Sequence, residues 1–161
     1  MGASNRPAAE TEALLRQAAQ AQPSSYRARI ALAQFYLASA RSNPSAAESA
    51  AKEALRLDAG RVDAYAILAG IYADRTGGSE LDELLADASH RVPDDLAPYY
   101  RAAEHLIVAG RDPRRAERYL RAYLAQEREG NEPTAADAAR LVKRLSNGSM
   151  ETSGAWQRSV Q

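Results

Sequence analysis

Few side chains in this chain are suited to catalysis or metal binding: there are two histidines, His90 and His105, and no cysteine. A metal site needs several converging His, Cys or carboxylate ligands, and no HExxH or comparable spacing occurs. His105 directly follows Glu104, and adjacent residues on a helix point in different directions. The pair Gly77-Gly78 lacks the Lys-Ser that follows in a phosphate-binding loop. We therefore predict no catalytic, cofactor or metal site, and a protein that is not an enzyme.

The balance of basic and acidic residues bears on whether the partner could be a nucleic acid. Basic and acidic residues number 21 each, so the formal net charge is zero. Nucleic-acid-binding surfaces need an excess of basic charge, so no nucleic-acid partner is expected. No apolar run approaches the roughly 20 residues of a membrane span, and residues 1–10 contain no apolar stretch that could act as a signal sequence. The compartment stays open: cytoplasmic by default, and periplasmic if a leader was removed.

The elements that carry these residues are expected to be helices. Alanine, the best helix former, is abundant, and apolar residues recur every three or four positions between capping signals. Thr134 with Asp137, and Ser45 with Glu48, have the spacing of capping boxes, and Asp112 precedes a proline as an N-cap does. The pattern predicts an all-α chain of about eight helices.

Three segments of the chain are similar to one another at a regular interval. Residues 30–36, 66–72 and 100–106 align, with offsets of about 36 and 34 residues. A fixed period in the thirties, with two helices in each period, is typical of a stacked helical array.

The residues that carry this period resemble the tetratricopeptide repeat (TPR) family, most clearly in the middle unit. The matching positions are Tyr65, Leu68, Ala69, Tyr72, Leu81, Leu85, Ala88 and Pro93. The resemblance implies a right-handed α-α superhelical solenoid of TPR-like helix-turn-helix repeats. It places a half repeat at 8–24, repeats at about 25–61, 62–95 and 96–130, and a half repeat at 133–146. Residues 1–7 are then a flexible N-terminus and 147–161 a disordered tail.

In arrays of this kind the first helix of each repeat lines a concave groove that holds a partner peptide or helix. The register places ten residues in that groove: Arg27, Ile30, Gln34, Leu37, Asp63, Asp74, Tyr100, Glu104, Ile107 and Val108. Ala66 and Gly70 lie in the same register. The apolar members, Ile30 and Ile107 above all, could instead pack between units. The mixture of apolar and acidic residues favours a neutral or basic amphipathic segment as the partner.

Charge is divided along the chain. Residues 74–95 contain seven acids and two arginines, whereas residues 111–121 contain five arginines and two acids. Such a division could steer a partner or promote head-to-tail self-association. The other interpretation is a solvated helix face with local pairs, for example Glu117 with Arg121.

The last predicted helix has an apolar face with no following helix to cover it, formed by Leu141, Val142 and Leu145. We interpret this face as a possible docking edge. The leading functional hypothesis is a noncatalytic scaffold that binds a partner peptide or helix in its groove. The alternative is a fragment or subunit of a larger multi-repeat assembly or enzyme, which uses the open edge for docking or oligomerisation.

Overall fold

A computed structural model describes residues 8–38, 42–75, 78–126 and 133–157, with side chains as far as Asn147. These residues form eight helices and no strand, which confirms the all-α fold class. The helices are α1 (Ala8–Ala21), α2 (Tyr26–Ala38), α3 (Pro44–Leu57), α4 (Val62–Arg75), α5 (Ser79–Arg91), α6 (Ala97–Val108), α7 (Pro113–Leu124) and α8 (Ala135–Gln157). None of the described helices is both long and apolar enough to cross a membrane.

Two of the predicted helix starts are confirmed. At α8, Thr134 and Asp137 form a reciprocal capping box, in which each side chain accepts a hydrogen bond from the backbone N–H of the other. At α7, the Asp112 carboxylate accepts a hydrogen bond from the backbone N–H of Arg115 at 3.0 Å, and Pro113 is the first helical residue.

The start of α3 differs from the prediction. The N-cap is Asn43, whose side chain accepts a hydrogen bond from the backbone N–H of Ala46, and not Ser45. Pro44 explains the difference, because proline suits the first helical position and so moves the cap to the residue before it. Ser45 therefore lies inside the first turn of α3.

The helices pack in chain order, each against the next, and α4 also packs against both α2 and α6. Small side chains at the centre of α2, α4 and α6 allow close approach, since Ala33, Ala69 and Ala103 are fully buried. The large buried residues around them include Tyr65 and Tyr123. Neighbouring-helix packing of this kind agrees with a helical repeat.

The two ends of the chain are described to different extents. Residues 1–7, predicted as a flexible N-terminus, lie outside the described residues. At the other end α8 continues to Gln157, whereas the sequence pattern ends the last helix at about residue 146. Extending an existing helix adds one hydrogen bond for each residue that it orders, so no strong helix former is needed to continue it. Residues 158–161 of the predicted tail lie outside the described residues.

The acidic and basic segments of the chain contact each other. Asp82 on α5 lies 3.0 Å from an Arg118 nitrogen and 3.3 Å from an Arg115 nitrogen, both on α7. Arg111 donates hydrogen bonds to the carbonyl oxygens of Asp74 and Arg75 at the end of α4. Part of the charge division therefore serves packing within one chain.

The local pair that the sequence suggested is also present. Arg121 Nε lies 3.1 Å from Glu117 Oε1, one helical turn away on α7. The basic segment is thus in part a solvated helix face with local pairs, as one of the two interpretations held, and in part a partner of α5 within the chain, which neither interpretation included.

Candidate functional site

An open groove of about 390 Å³ runs over α4, which forms its floor. Helix α2 forms one wall and helix α6 forms the other. The groove is lined by Gln34, Leu37, Asp63, Ala66, Ile67, Gly70, Ile71, Asp74, Arg101 and His105, and we call it the α4 groove. Since α2, α4 and α6 all contribute to it, the groove exists only when these three helices are packed side by side.

The floor residues share one face of α4 because they are spaced by three or four positions. Starting at Asp63, this face continues through Ala66, Ile67 and Gly70 to Asp74. The opposite face carries the large residues of the core, including Tyr65, Leu68 and Tyr72. One face of helix α4 is consequently packed in the core. The other face forms the groove floor, a narrow apolar strip with an aspartate at each end.

Asp74 and Gly70 are both contacted by one imidazole from α6. Nδ1 of His105 lies 2.9 Å from Oδ2 of Asp74. The same ring lies over Gly70 so closely that a Cβ at position 70 would be 2.9 Å from Nε2. A side chain at Gly70 would therefore displace the ring, and glycine is needed here for close approach.

Asp63, at the other end of the strip, has a different environment. Its Oδ2 lies 3.6 Å from an Arg61 nitrogen and 3.4 Å from the Tyr26 hydroxyl, which donates to it. The Tyr26 hydroxyl in turn accepts a hydrogen bond from the backbone N–H of Ala64 at 3.0 Å. Burial raises the pKa of Tyr26 to about 12, and the charge of Asp63 acts in the same direction. Tyr26 thus stays neutral and links α2 to the first turn of α4.

Four of the ten residues predicted for the groove are brought together in it: Gln34, Leu37, Asp63 and Asp74. Glu104 lies beside the groove, where it pairs with the lining residue Arg101 at 2.9 Å. Arg27 is exposed on α2 but does not line the groove, and Val108 is 83% exposed at the end of α6.

The remaining three predicted residues face the interior, Ile107 only in part. Ile30 is buried in a small cluster with Tyr26, Ala54 and Ala64, so it packs between units as the alternative interpretation held. Ile107 is half-buried against the main core. Tyr100 is buried, and its ring centroid lies 5.4 Å from that of Tyr123. A substitution of Tyr100 would consequently report on stability and not on the groove.

Four lining residues were not predicted: Ile67, Ile71, Arg101 and His105. The repeat itself carried a signal for them. In the alignment of 66–72 with 100–106, Arg101 is equivalent to Ile67 and His105 is equivalent to Ile71. Each of the four lies one position after a residue of the predicted register, namely Ala66, Gly70, Tyr100 and Glu104. A groove that is two residues wide on each helix includes them.

The predicted docking edge on α8 already has contacts within the chain. Leu141, Val142 and Leu145 are half-buried and pack against the main core, on the side where α8 lies against α7. Part of each side chain is left accessible.

Over the described part of the chain, no group of three or more His, Asp or Glu side chains is arranged to hold a metal ion. The α4 groove offers carboxylates, a guanidinium, an imidazole and apolar surface. These groups can bind a side chain by charge and shape. Comparisons of the chain with protein-family models, with curated proteins and with solved structures gave no match.

Proposed function

We propose that this chain is a noncatalytic interaction module, a right-handed solenoid of tetratricopeptide-like repeats that holds a segment of a partner protein in the α4 groove. The observation that carries this proposal is the groove itself, to which α2, α4 and α6 each contribute side chains. Tetratricopeptide-like arrays hold partners on the corresponding surface, and the resemblance of residues 62–95 to that family links the two.

The composition of the groove supports binding more than chemistry. Its floor is mostly apolar, and its charged groups are separated along α4 or already paired, as Arg101 is with Glu104. Nucleophilic or acid–base catalysis needs two or three such groups within hydrogen-bond reach of one reacting atom. A partner segment, in contrast, gains from apolar contact along the strip and from charged groups at its ends.

The test uses one bulky substitution in the groove and one outside it. Gln34→Trp places a large side chain on the exposed α2 wall, and Glu83→Trp places the same side chain on an exposed position of α5. Each variant, tagged and expressed in the source cell, is crosslinked and its bound proteins are quantified. We expect Gln34→Trp to lose a partner that both the wild type and Glu83→Trp retain. If both variants recover the same proteins in the same amounts as the wild type, the groove is not the binding surface.

The alternative, a subunit of a larger assembly that docks through α8, has weaker support. The side chains Leu141, Val142 and Leu145 already pack on the core of this chain, so less apolar surface remains for a partner.

A further inference from the structure

We propose that the occupant of the α4 groove is a cationic amphipathic helix that lies along α4. Two basic residues of that helix, eleven positions apart, bind Asp63 and Asp74, and small apolar residues between them pack on Ala66 and Ile67. This inference rests on the proposed function and names the partner's chemistry.

The spacing of the two carboxylates along α4 determines how far apart, and on which face, the basic residues of a partner must lie. Asp63 and Asp74 are eleven residues apart on one helix. At about 1.5 Å rise and 3.6 residues per turn, that separation is roughly 16 Å along the axis and close to three whole turns. Both side chains consequently leave α4 on the same face, at the two ends of the groove floor.

A helix matches this spacing and an extended strand does not. A second helix laid nearly parallel or antiparallel to α4 repeats the same period, so its residues i and i+11 face the two aspartates together. In an extended strand, roughly 16 Å corresponds to about five residues, and residues i and i+5 point to opposite faces. Only one cation of a strand with that spacing could therefore face the floor.

Both carboxylates remain accessible to a ligand. The side chain of Asp63 is 45% exposed and that of Asp74 is 56% exposed. Their partners within the chain contact Oδ2 in each case: Arg61 at 3.6 Å and the Tyr26 hydroxyl at 3.4 Å on Asp63, and the His105 ring at 2.9 Å on Asp74. A carboxylate has a second oxygen and further lone pairs that can accept hydrogen bonds from an ammonium or guanidinium group.

Asp74 is also poorly placed for the stability of α4. It lies in the last turn of the helix, where the backbone dipole is negative and a carboxylate is unfavourable. Residues that break a local preference of this kind are often retained for binding.

The floor between the aspartates suits small apolar side chains. Ala66 contributes one methyl group and Ile67 is half-buried, whereas Gly70 lies under the His105 ring. On the α2 wall Leu37 is exposed although it is apolar. These residues line the same groove, and alanine or leucine residues on one face of a bound helix would cover them.

The experiment compares two synthetic helical peptides of identical composition and length. The matched peptide carries Lys at i and i+11 with alanine and leucine between them on the same face. The control peptide carries the two Lys at i and i+9, which lie on opposite faces of a helix. Binding of each labelled peptide to the full chain is measured by fluorescence anisotropy. The control peptide can place only one Lys on the groove floor, so we expect it to bind about two- to fivefold more weakly than the matched peptide.

Three variants assign the effect to the two carboxylates. Asp63→Asn and Asp74→Asn should each weaken the matched peptide about two- to fivefold, as expected for partly exposed ion pairs. The double variant should bind the matched and control peptides equally. Asp94→Asn, at an exposed position between α5 and α6, makes the same change of charge outside the groove and should leave the affinity unchanged.

Several outcomes would overturn the inference. They are no binding of the matched peptide to the wild type, equal binding of both peptides, or an unchanged affinity in the double variant. Self-association of the wild-type chain that the double variant loses would assign the groove to a second copy instead. Should Gln34→Trp lose the cellular partner while the double variant keeps it, this inference fails and the proposed function stands. Should both variants keep the partner, the proposed function fails as well.

Discussion

The imidazole of His105 contacts the carboxylate of Asp74 at 2.9 Å while its ring covers the backbone of Gly70. This arrangement joins α4 to α6 at the floor of the α4 groove, across 31 positions in the sequence. It depends on the absence of a side chain at position 70, so the glycine and the histidine should be energetically coupled.

Replacing Gly70 tests that coupling. In a helix interior, Gly→Ala stabilises by about 1 kcal/mol through helix propensity. In the wild-type background the new Cβ would meet Nε2 of His105 at 2.9 Å, so we expect little or no gain. In a His105→Ala background the gain of about 1 kcal/mol should appear. Urea unfolding of the four proteins measures the coupling, and simple additivity would contradict it.

The hydroxyl of Tyr65 is expected to contribute to stability. Tyr65 is fully buried and donates a 2.7 Å hydrogen bond to Asp87 on α5. Tyr65→Phe removes this bond to a charged acceptor and should lower the free energy of unfolding by about 1–2 kcal/mol. Tyr99→Phe is the matched control, since the ring of Tyr99 packs at 5.8 Å on Tyr119 and phenylalanine keeps that contact. Equal losses in the two variants would show that the hydroxyl bond adds nothing.

Stability should fall in the alkaline range. Burial raises the pKa of Tyr26 from its ordinary value near 10 to about 12, and burial with Asp87 raises that of Tyr65 further. The folded state therefore favours the neutral hydroxyl more than the unfolded state does. This stabilisation is complete below about pH 10 and is lost as the pH rises towards about 12.

Urea unfolding at about pH 8, 10 and 11, with tyrosinate absorbance recorded in parallel, checks this prediction. Tyr26→Phe should reduce the dependence on pH, because the phenyl ring cannot ionise. A free energy of unfolding that stays constant up to pH 11 would be incompatible with the raised pKa of Tyr26.

Ala69 is expected to tolerate no larger residue. It is fully buried where α4 lies against its neighbours, so Ala69→Leu overpacks the contact and should cost about 1–3 kcal/mol. Ala86→Leu, at an exposed position on α5, makes the same change without steric conflict. Thermal or urea unfolding compares the two. Similar stabilities for both variants would mean that the helices can separate at Ala69 without loss.

Asp82 on α5 accepts two hydrogen bonds from side chains of α7. The Tyr119 hydroxyl donates to it at 2.6 Å, and Arg118 donates to the same oxygen at 3.0 Å. Asp82→Ala should cost about 1–2 kcal/mol, mainly because the buried Tyr119 loses its acceptor. The adjacent exposed Glu83 provides the control, since Glu83→Ala removes one negative charge from the same helix. The two substitutions are compared by urea unfolding at low salt. Equal losses of unfolding free energy in the two variants would mean that Asp82 contributes only its negative charge and not its hydrogen bonds.

Short-range signals in the sequence predicted the helices well. The reciprocal bonds of Thr134 with Asp137 and the cap at Asp112 involve residues within a few positions of each other, so the pattern and the physics coincide. The misplaced cap at Ser45 also has a local cause, since two candidate capping residues flank Pro44. Pro44 decides between them because it occupies the first helical position, and the spacing of a capping box takes no account of proline.

The candidate groove was predicted in part. Gln34, Leu37, Asp63 and Asp74 lie in it, whereas Ile30 and Tyr100 are buried. Register along a repeat gives the face of a helix to within about one residue, and one residue turns a side chain by about 100° around the helix. That turn separates a groove position from a core position, so only the packed helices distinguish the two.

The sequence by itself determined the all-α class, the approximate bounds of eight helices and the buried face of α4, because hydrophobic period and capping act within a few residues. The tertiary structure alone decided that His105 lies over Gly70 and that Arg115 and Arg118 meet Asp82. These contacts join positions more than 30 residues apart. They depend on the distance and angle between whole helices, which are set by the summed packing of many side chains and not by any local pattern.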